Sequence, residues 1–157
     1  MNLDTGFIMR AVIQRANRAS VFINSQLYST INQGLLVLLG VEKGDVEKDA
    51  DYILDKIVNL RIFEDGEGKM NLSLLETGGE MMVVSQFTLL GDCIKGRRPS
   101  FTKAAVPEEA NRLYEYFVAQ ARPKVKNLAT GKFQEMMEIE LINNGPVTIL
   151  MDSRKTF

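Results

Sequence analysis

The sequence predicts an α+β domain of mixed, largely antiparallel β-sheets covered by two main helices. Three observations carry this reading. Strand-like segments outnumber helical ones, and the two amphipathic segments fall between strands. An unbroken apolar run, Gly34 to Val41, has the length of a strand buried on both faces. The chain has 157 residues, 45% hydrophobic and 25% charged, which suits one core and leaves little for a second domain. Residues 9–157 are therefore read as a single domain, and residues 1–8, which have no apolar period, as an extension ahead of it.

The pattern of mixed polar and apolar side chains from Met9 to Arg15 suits a half-buried strand. Arg18 to Ile23 and Gln26 to Ile31 read as two further strands, joined as a hairpin through Asn24-Ser25. Val46 to Leu60 sets Ala50, Ile53, Leu54, Ile57 and Val58 at helical spacing, with acids and lysines on the other face. That stripe is a packing face. Residues 64–69 form a loop whose carboxylates miss calcium-loop spacing, and Gly78-Gly79 marks a turn. Met81 to Leu90 reads as a second buried strand that turns polar in its last half. Pro107 opens a second helix, with Glu108 and Glu109 at its start and Leu113, Tyr114 and Phe117 on its apolar side, to about Ala121. Two last strands, Met136 to Leu141 and Val147 to Met151, flank Asn143-Asn144-Gly145-Pro146, which by turn chemistry is a hairpin corner.

Composition removes several functions. The net charge of -1 provides no global field for nucleic acid, so any such partner must be held by a local patch. One cysteine, Cys93, cannot form a disulfide within the chain. No apolar run approaches the ~18–20 residues that cross a bilayer, and the start lacks signal or transit features. A cytoplasmic protein with no membrane or DNA partner is expected. There is no histidine, which excludes Ser-His-Asp and Cys-His mechanisms and any histidine-ligated metal within one polypeptide. The acids and Cys93 show no ligand spacing either, so no metal and no cofactor are expected. A local cationic patch does exist, in Lys95-Gly96-Arg97-Arg98-Pro99-Ser100-Phe101-Thr102-Lys103. Cations beside an aromatic ring suit phosphate contacts and base stacking; the plain alternative is a solvated loop.

Two stretches together resemble the signature of the D-aminoacyl-tRNA deacylases, homodimeric hydrolases that remove D-amino acids from tRNA. They are Ser85-Gln86-Phe87-Thr88-Leu89 and Asn143-Asn144-Gly145-Pro146-Val147-Thr148. Met9 to Arg15, Gly34 to Val41, Gly68-Lys69-Met70-Asn71 and Arg98-Pro99-Ser100-Phe101 are similar to that family in the same order. The likeness runs from residue 9 to about 152.

The resemblance implies a barrel-like sheet and a homodimer with sites at its interface. It implies a cis Gly145-Pro146 bond that reaches into the partner's pocket, where the two carbonyls take the amino group of a D-amino acid or glycine and exclude L side chains by clash. Ser85, Gln86, Phe87 and Thr88 become the catalytic strand end, its N–H groups and Gln86 holding the ester carbonyl as an oxyanion hole does. Thr88 is the candidate nucleophile, but without a base its hydroxyl is a weak one. The tRNA 2′-OH assisting the ester or a water is the more economical route. Arg15, Asn143 and Thr148 are expected to support the Gly-Pro segment; for Arg15 the alternative is an ordinary strand-end surface cation. Arg97, Arg98 and Phe101 are expected at the tRNA acceptor end. D-aminoacyl-tRNA is the expected substrate, with glycyl-tRNA(Ala) beside it. A non-catalytic dimeric RNA-binding module is the competing class, and a metal hydrolase a poorer third.

Overall fold

The computed structural model describes residues 8–157; of the extension expected over residues 1–8, all but Ile8 lies outside them. Ile8 itself is buried and donates its N–H to Glu42 Oε2 at 2.7 Å.

β1 (Arg10–Ile23) is one strand of 14 residues where the sequence predicts two. Its register against the last strand slips between Gln14 and Ala16 and between Ala16 and Arg18, and those slips are the break that the pattern showed. β2 (Gln26–Ile31) returns antiparallel through Asn24 and Ser25, at φ 51° and 63°. Two consecutive positive φ values are the geometry that matches the twist of a two-residue hairpin. β3 (Gly34–Gly40) pairs antiparallel with the first half of β1. Along it Leu35, Val37 and Leu39 face one core and Leu36 the other, the period of two that buries both faces.

α1 (Glu47–Asn59) follows, its N-terminus satisfied by Asp49, whose carboxylate accepts from the Val46 N–H at 2.8 Å. The sequence pattern does not show the next pieces: β4 (Phe63–Glu64), β5 (Met70–Leu72) and the one-turn α2 (Leu74–Thr77). They are too short for a period to register. β6 (Glu80–Ser85) runs parallel to β3, and α3 (Pro107–Ala121) leads to β7 (Leu128–Thr130), parallel to β6. β6 stops at Ser85, five residues short of the expected Leu90, because residues 87–90 coil into a 3-10 turn closed by Leu89 N–H on Gln86 C=O at 3.3 Å. β8 (Glu138–Asp152) pairs antiparallel with the free side of β1 over nearly its whole length.

The sheet order is β2-β1-β3-β6-β7, with β8 on β1, and it bends nearly closed. Ser29 Oγ of β2 donates to Thr130 C=O of β7 at 2.6 Å across the remaining gap. Inside the curve lies a small core of Ala19, Val21, Ile31, Leu36, Met82 and Val84. Outside it α1 and α3 cover the larger core, in which Ile53, Ile57, Leu113 and Phe117 meet Ile13, Val37 and Val83. Two helices dominate, as predicted.

Candidate active site

The end of β6 opens a cleft of about 740 Å³. Its walls are Ser85 to Thr88, Phe101, the first turn of α3 and residues 133–137. Polar residues enter an otherwise apolar strand here because the strand has left the core: Val84 is buried, Ser85 and Gln86 are half-buried, and Phe87 and Thr88 are exposed. The turn is held from beneath. Gln86 N–H donates to Leu39 C=O at 2.8 Å, and Arg10 Nη1 to Leu89 C=O at 3.0 Å. Gln86 Nε2 donates to Thr88 Oγ1 at 3.0 Å, which leaves the hydroxyl proton free to donate onward.

The rim is aromatic. Phe87, 56% exposed, meets Phe101 edge to face at 5.2 Å between centroids. Gly91 makes room for that pair, since a Cβ there would lie 3.0 Å from Phe101 Cε1 and from Thr88 C=O. Phe133 of the cleft lining stacks at 6.3 Å on the ring of Tyr114, which fixes α3 to the sheet by donating to Val83 C=O at 2.7 Å. Burial pushes the Tyr114 hydroxyl well above the usual tyrosine range, so it stays a neutral donor. Among the described residues Glu135 is the one ionisable residue lining the cleft, 3.9 Å from Lys132. The sequence pattern did not point to residues 133–135 or Arg10 for a site, and it put Met136 and Met137 in a strand that begins only at Glu138; Met136 is 88% exposed. Residues 133–137 and Arg10 take their places from long-range packing. In the loop after β3 the buried Asp45 carboxyl accepts from the Glu42 N–H at 2.7 Å, and loss of hydration pushes it up to about 7.

The second motif is not a hairpin corner. Asn143 pairs with Ala16 and Thr148 with Gln14, so residues 144–147 bulge out of a continuous strand opposite the single residue Arg15. Turn chemistry is right about the local bend but silent on the partner strand, which runs past both ends. The bulge is clamped at its base. Asn143 Oδ1 accepts from the Val147 N–H at 2.7 Å, and its Nδ2 donates to Val147 C=O at 3.1 Å and to Thr148 Oγ1 at 3.2 Å.

Arg15 fills the space behind. It is 4% exposed, and it stands within a strand rather than at the surface end of one. Its Nε donates to Asn144 C=O at 2.8 Å and its Nη1 to Ile62 C=O at 2.7 Å. Asn144, Gly145 and Pro146 are exposed on this brace, and the Gly145–Pro146 peptide bond is cis. Gly145 has φ 143°, and a Cβ there would lie 2.7 Å from Val147 Cγ2 and 3.2 Å from Arg15 Nη2. Only glycine fits that backbone and that gap.

Within one chain the two motifs stay apart, since neither Gly145 nor Pro146 lines the cleft. Of the expected RNA contacts, Phe101 stands in the cleft wall. Arg97 and Arg98 are exposed on a small hairpin that Asp92 and Ser100 close by mutual backbone hydrogen bonds of 2.7 and 2.9 Å. Among the described residues no three of the Cys, Asp and Glu side chains gather to hold a metal ion, and no helix is long and apolar enough to cross a membrane.

The family model described as D-Tyr-tRNA(Tyr) deacylase matches residues 12–152. A D-aminoacyl-tRNA deacylase of Natranaerobius thermophilus is 59% identical over 150 residues, 95% of this chain and 100% of the relative. One of Syntrophus aciditrophicus is 57% identical over 149 residues, again 95% and 100%. Among solved structures, a c-Myc DNA unwinding element binding protein superposes with a TM-score of 0.86 at 39% identity, covering 90% of this chain and 97% of that one. A probable eukaryotic D-amino acid tRNA deacylase shares the fold, at a TM-score of 0.80 and 17% identity over 92% and 99% of the two chains. With a family model spanning both motifs and relatives above half identity over nearly their whole length, the chain belongs to the D-Tyr-tRNA(Tyr) deacylase family.

Proposed function

We propose that this protein hydrolyses the ester of D-aminoacyl-tRNA, and of glycyl-tRNA(Ala), as a cytoplasmic homodimer in which each subunit lends its Gly145-Pro146 bulge to the other's cleft. The observation that carries the reading is the pairing of two incomplete halves. One is an open, largely apolar cleft that ends at Ser85 to Thr88; the other is an exposed Gly-Pro bulge, braced by Arg15 and Asn143, that does not line its own cleft. β8 carries the bulge on the outer side of β1, with Ile142 and Leu150 exposed along the same strand, and an unpaired apolar edge is where a second copy docks.

In that arrangement the Gly145 and Pro146 carbonyls accept from the substrate's amino group. A side chain of D configuration points to open space, and one of L configuration meets the bulge. Rejection by clash needs no pocket shaped for any one amino acid, and glycine passes as well. The backbone N–H groups of Phe87 and Thr88, the first of the 3-10 turn, and the Gln86 side-chain amide face the ester carbonyl and stabilise the charge that develops on its oxygen. The Phe87–Phe101 pair gives the terminal base an aromatic face, and Arg97 and Arg98 contact phosphates beyond it.

Thr88 has no base hydrogen-bonded to it among the described residues, since its hydroxyl is engaged by a neutral amide and the cleft's Glu135 is paired with Lys132. The tRNA 2′-OH supplies the missing hydroxyl chemistry, and the protein supplies position. Single-turnover hydrolysis tests this directly. Thr88→Ala is expected to keep at least about a tenth of the rate, because a positioning hydroxyl is worth far less than the nucleophile or a general base, and a 2′-deoxy substrate is expected to be inert with the native protein. A folded Thr88→Ala protein that binds substrate yet is dead would overturn the RNA-assisted mechanism.

A further inference from the structure

A second groove, of about 610 Å³, adjoins the cleft and shares Phe133 and Gln134 with it. α3 forms its floor, and Tyr28 of β2 and residues 130–134 form its sides. Its character differs from that of the cleft. Arg122 and Lys132 line it with Asn111 and Tyr28, and Glu115 is its one carboxylate. Arg122, Lys124, Lys126 and Lys132 are exposed cations in a stretch of sequence, 122–132, that contains no acid. Of these four, Arg122 and Lys132 line the groove, and Lys124 and Lys126 lie between them in sequence without lining it. Arg122 makes no ion pair among the described residues, and Lys132 meets Glu135 only at 3.9 Å in an exposed pair, the kind that gains little energy and leaves the cation available. The shared wall turns at Gln134, which holds φ 63° although it carries a side chain. Residues held in that region tend to mark places where the backbone is shaped for a site.

We propose that this groove carries the sugar-phosphate backbone of the tRNA where it leaves the cleft, an inference that rests on the deacylase reading above. An aminoacyl ester seated in the cleft remains attached to a polyanion, and the polyanion must leave over a rim. The groove is the cationic depression that continues from the cleft wall. Arg122 and Lys132 pair with phosphate oxygens, and Asn111 and the Tyr28 hydroxyl donate to the same oxygens without charge. Such contacts carry no base readout, so binding here is independent of tRNA sequence.

The test uses Arg122→Gln/Lys132→Gln with two substrates, D-Tyr-tRNA and the D-tyrosyl ester of adenosine. For each phosphate contact about 0.9 log unit of affinity accrues between 1 M and 0.1 M salt. The variant is therefore expected to raise KM for the tRNA by roughly one to two powers of ten at 0.1 M salt, with kcat kept. Its log–log salt slope should be shallower by about 2. On the adenosine ester it should match the native protein. An unchanged KM and slope on tRNA, or equal losses on both substrates, would overturn the groove. Failure of the native protein on both substrates would instead strike the deacylase reading. The salt slope for uncharged tRNA, measured on both proteins, then decides the groove by itself: shallower in the variant supports it, identical refutes it.

Discussion

Arg15 couples the bulge to the rest of the sheet, and on the proposed function its removal is expected to separate chiral selection from turnover. The guanidinium is 4% exposed and donates to Asn144 C=O at 2.8 Å and to Ile62 C=O at 2.7 Å. Two hydrogen bonds from a charged donor contribute about 3–6 kcal/mol. Burying a cation that pairs with no carboxylate among the described residues costs several kcal/mol, so Arg15→Ala recovers part of the loss. The net destabilisation is about 2–3 kcal/mol. At about 2–4 °C per kcal/mol for a chain of this size, Tm should fall by roughly 5–10 °C. With Asn144 released, the Gly145-Pro146 carbonyls lose the brace behind them. A misplacement of about 1 Å is worth on the order of a hundredfold in a step that depends on geometry.

Rates on D-Tyr-tRNA and L-Tyr-tRNA should show the native preference for D reduced by about ten- to a hundredfold, with D turnover within about threefold of native. Arg15→Lys distinguishes bracing from charge, since an ammonium cannot reach both carbonyls as the guanidinium fork does. It should behave like the alanine variant in selectivity. Equal losses on D and L substrates, or an unchanged ratio in a protein shown to be destabilised, would refute the assignment of Arg15 to the chiral filter.

Two further outcomes concern Asp45 and the Phe87–Phe101 pair. Asp45, its carboxyl pushed up to about 7 by burial, holds a proton in the folded protein that it releases near 3.8 when hydrated. The folded state therefore binds more protons than the unfolded one across that window, and Asp45's contribution to stability is full below about pH 4 and lost as pH rises through 7. Urea midpoints of Asp45→Asn minus native should grow with pH between 4 and 7.5; a flat difference would show that Asp45 is ionised in the fold. Gly91→Ala places a methyl 3.0 Å from Phe101 Cε1 and should push that ring off Phe87. Loss of an aromatic pair of about 0.5–1.5 kcal/mol predicts KM raised by about two- to tenfold, with kcat nearly kept; a fall in kcat alone would place the pair's role elsewhere.

The architecture was legible where side-chain period is long enough to count. β3, α1 and α3 and the β1–β2 hairpin all stand where period and turn residues put them, because each buries a face whose pattern repeats several times. β4, β5, α2 and β7 were not legible, being too short to repeat. The bulge was misread for another reason: Asn143-Asn144-Gly145-Pro146 has the chemistry of a turn, and only the pairing of β8 with β1 on both sides of Arg15 makes it an excursion from a strand. Of the cleft, the motif 85–88 and Phe101 were legible. Residues 133–137 and Arg10 were not, since tertiary contacts with α3, β6 and the 3-10 turn bring them there.

The most direct test of the whole account is release of tyrosine from D-Tyr-tRNA and L-Tyr-tRNA incubated in parallel with the native protein. Rapid release of D-tyrosine with L-Tyr-tRNA left intact is the predicted result. Binding of both without hydrolysis would contradict it and support a dimeric RNA-binding module instead.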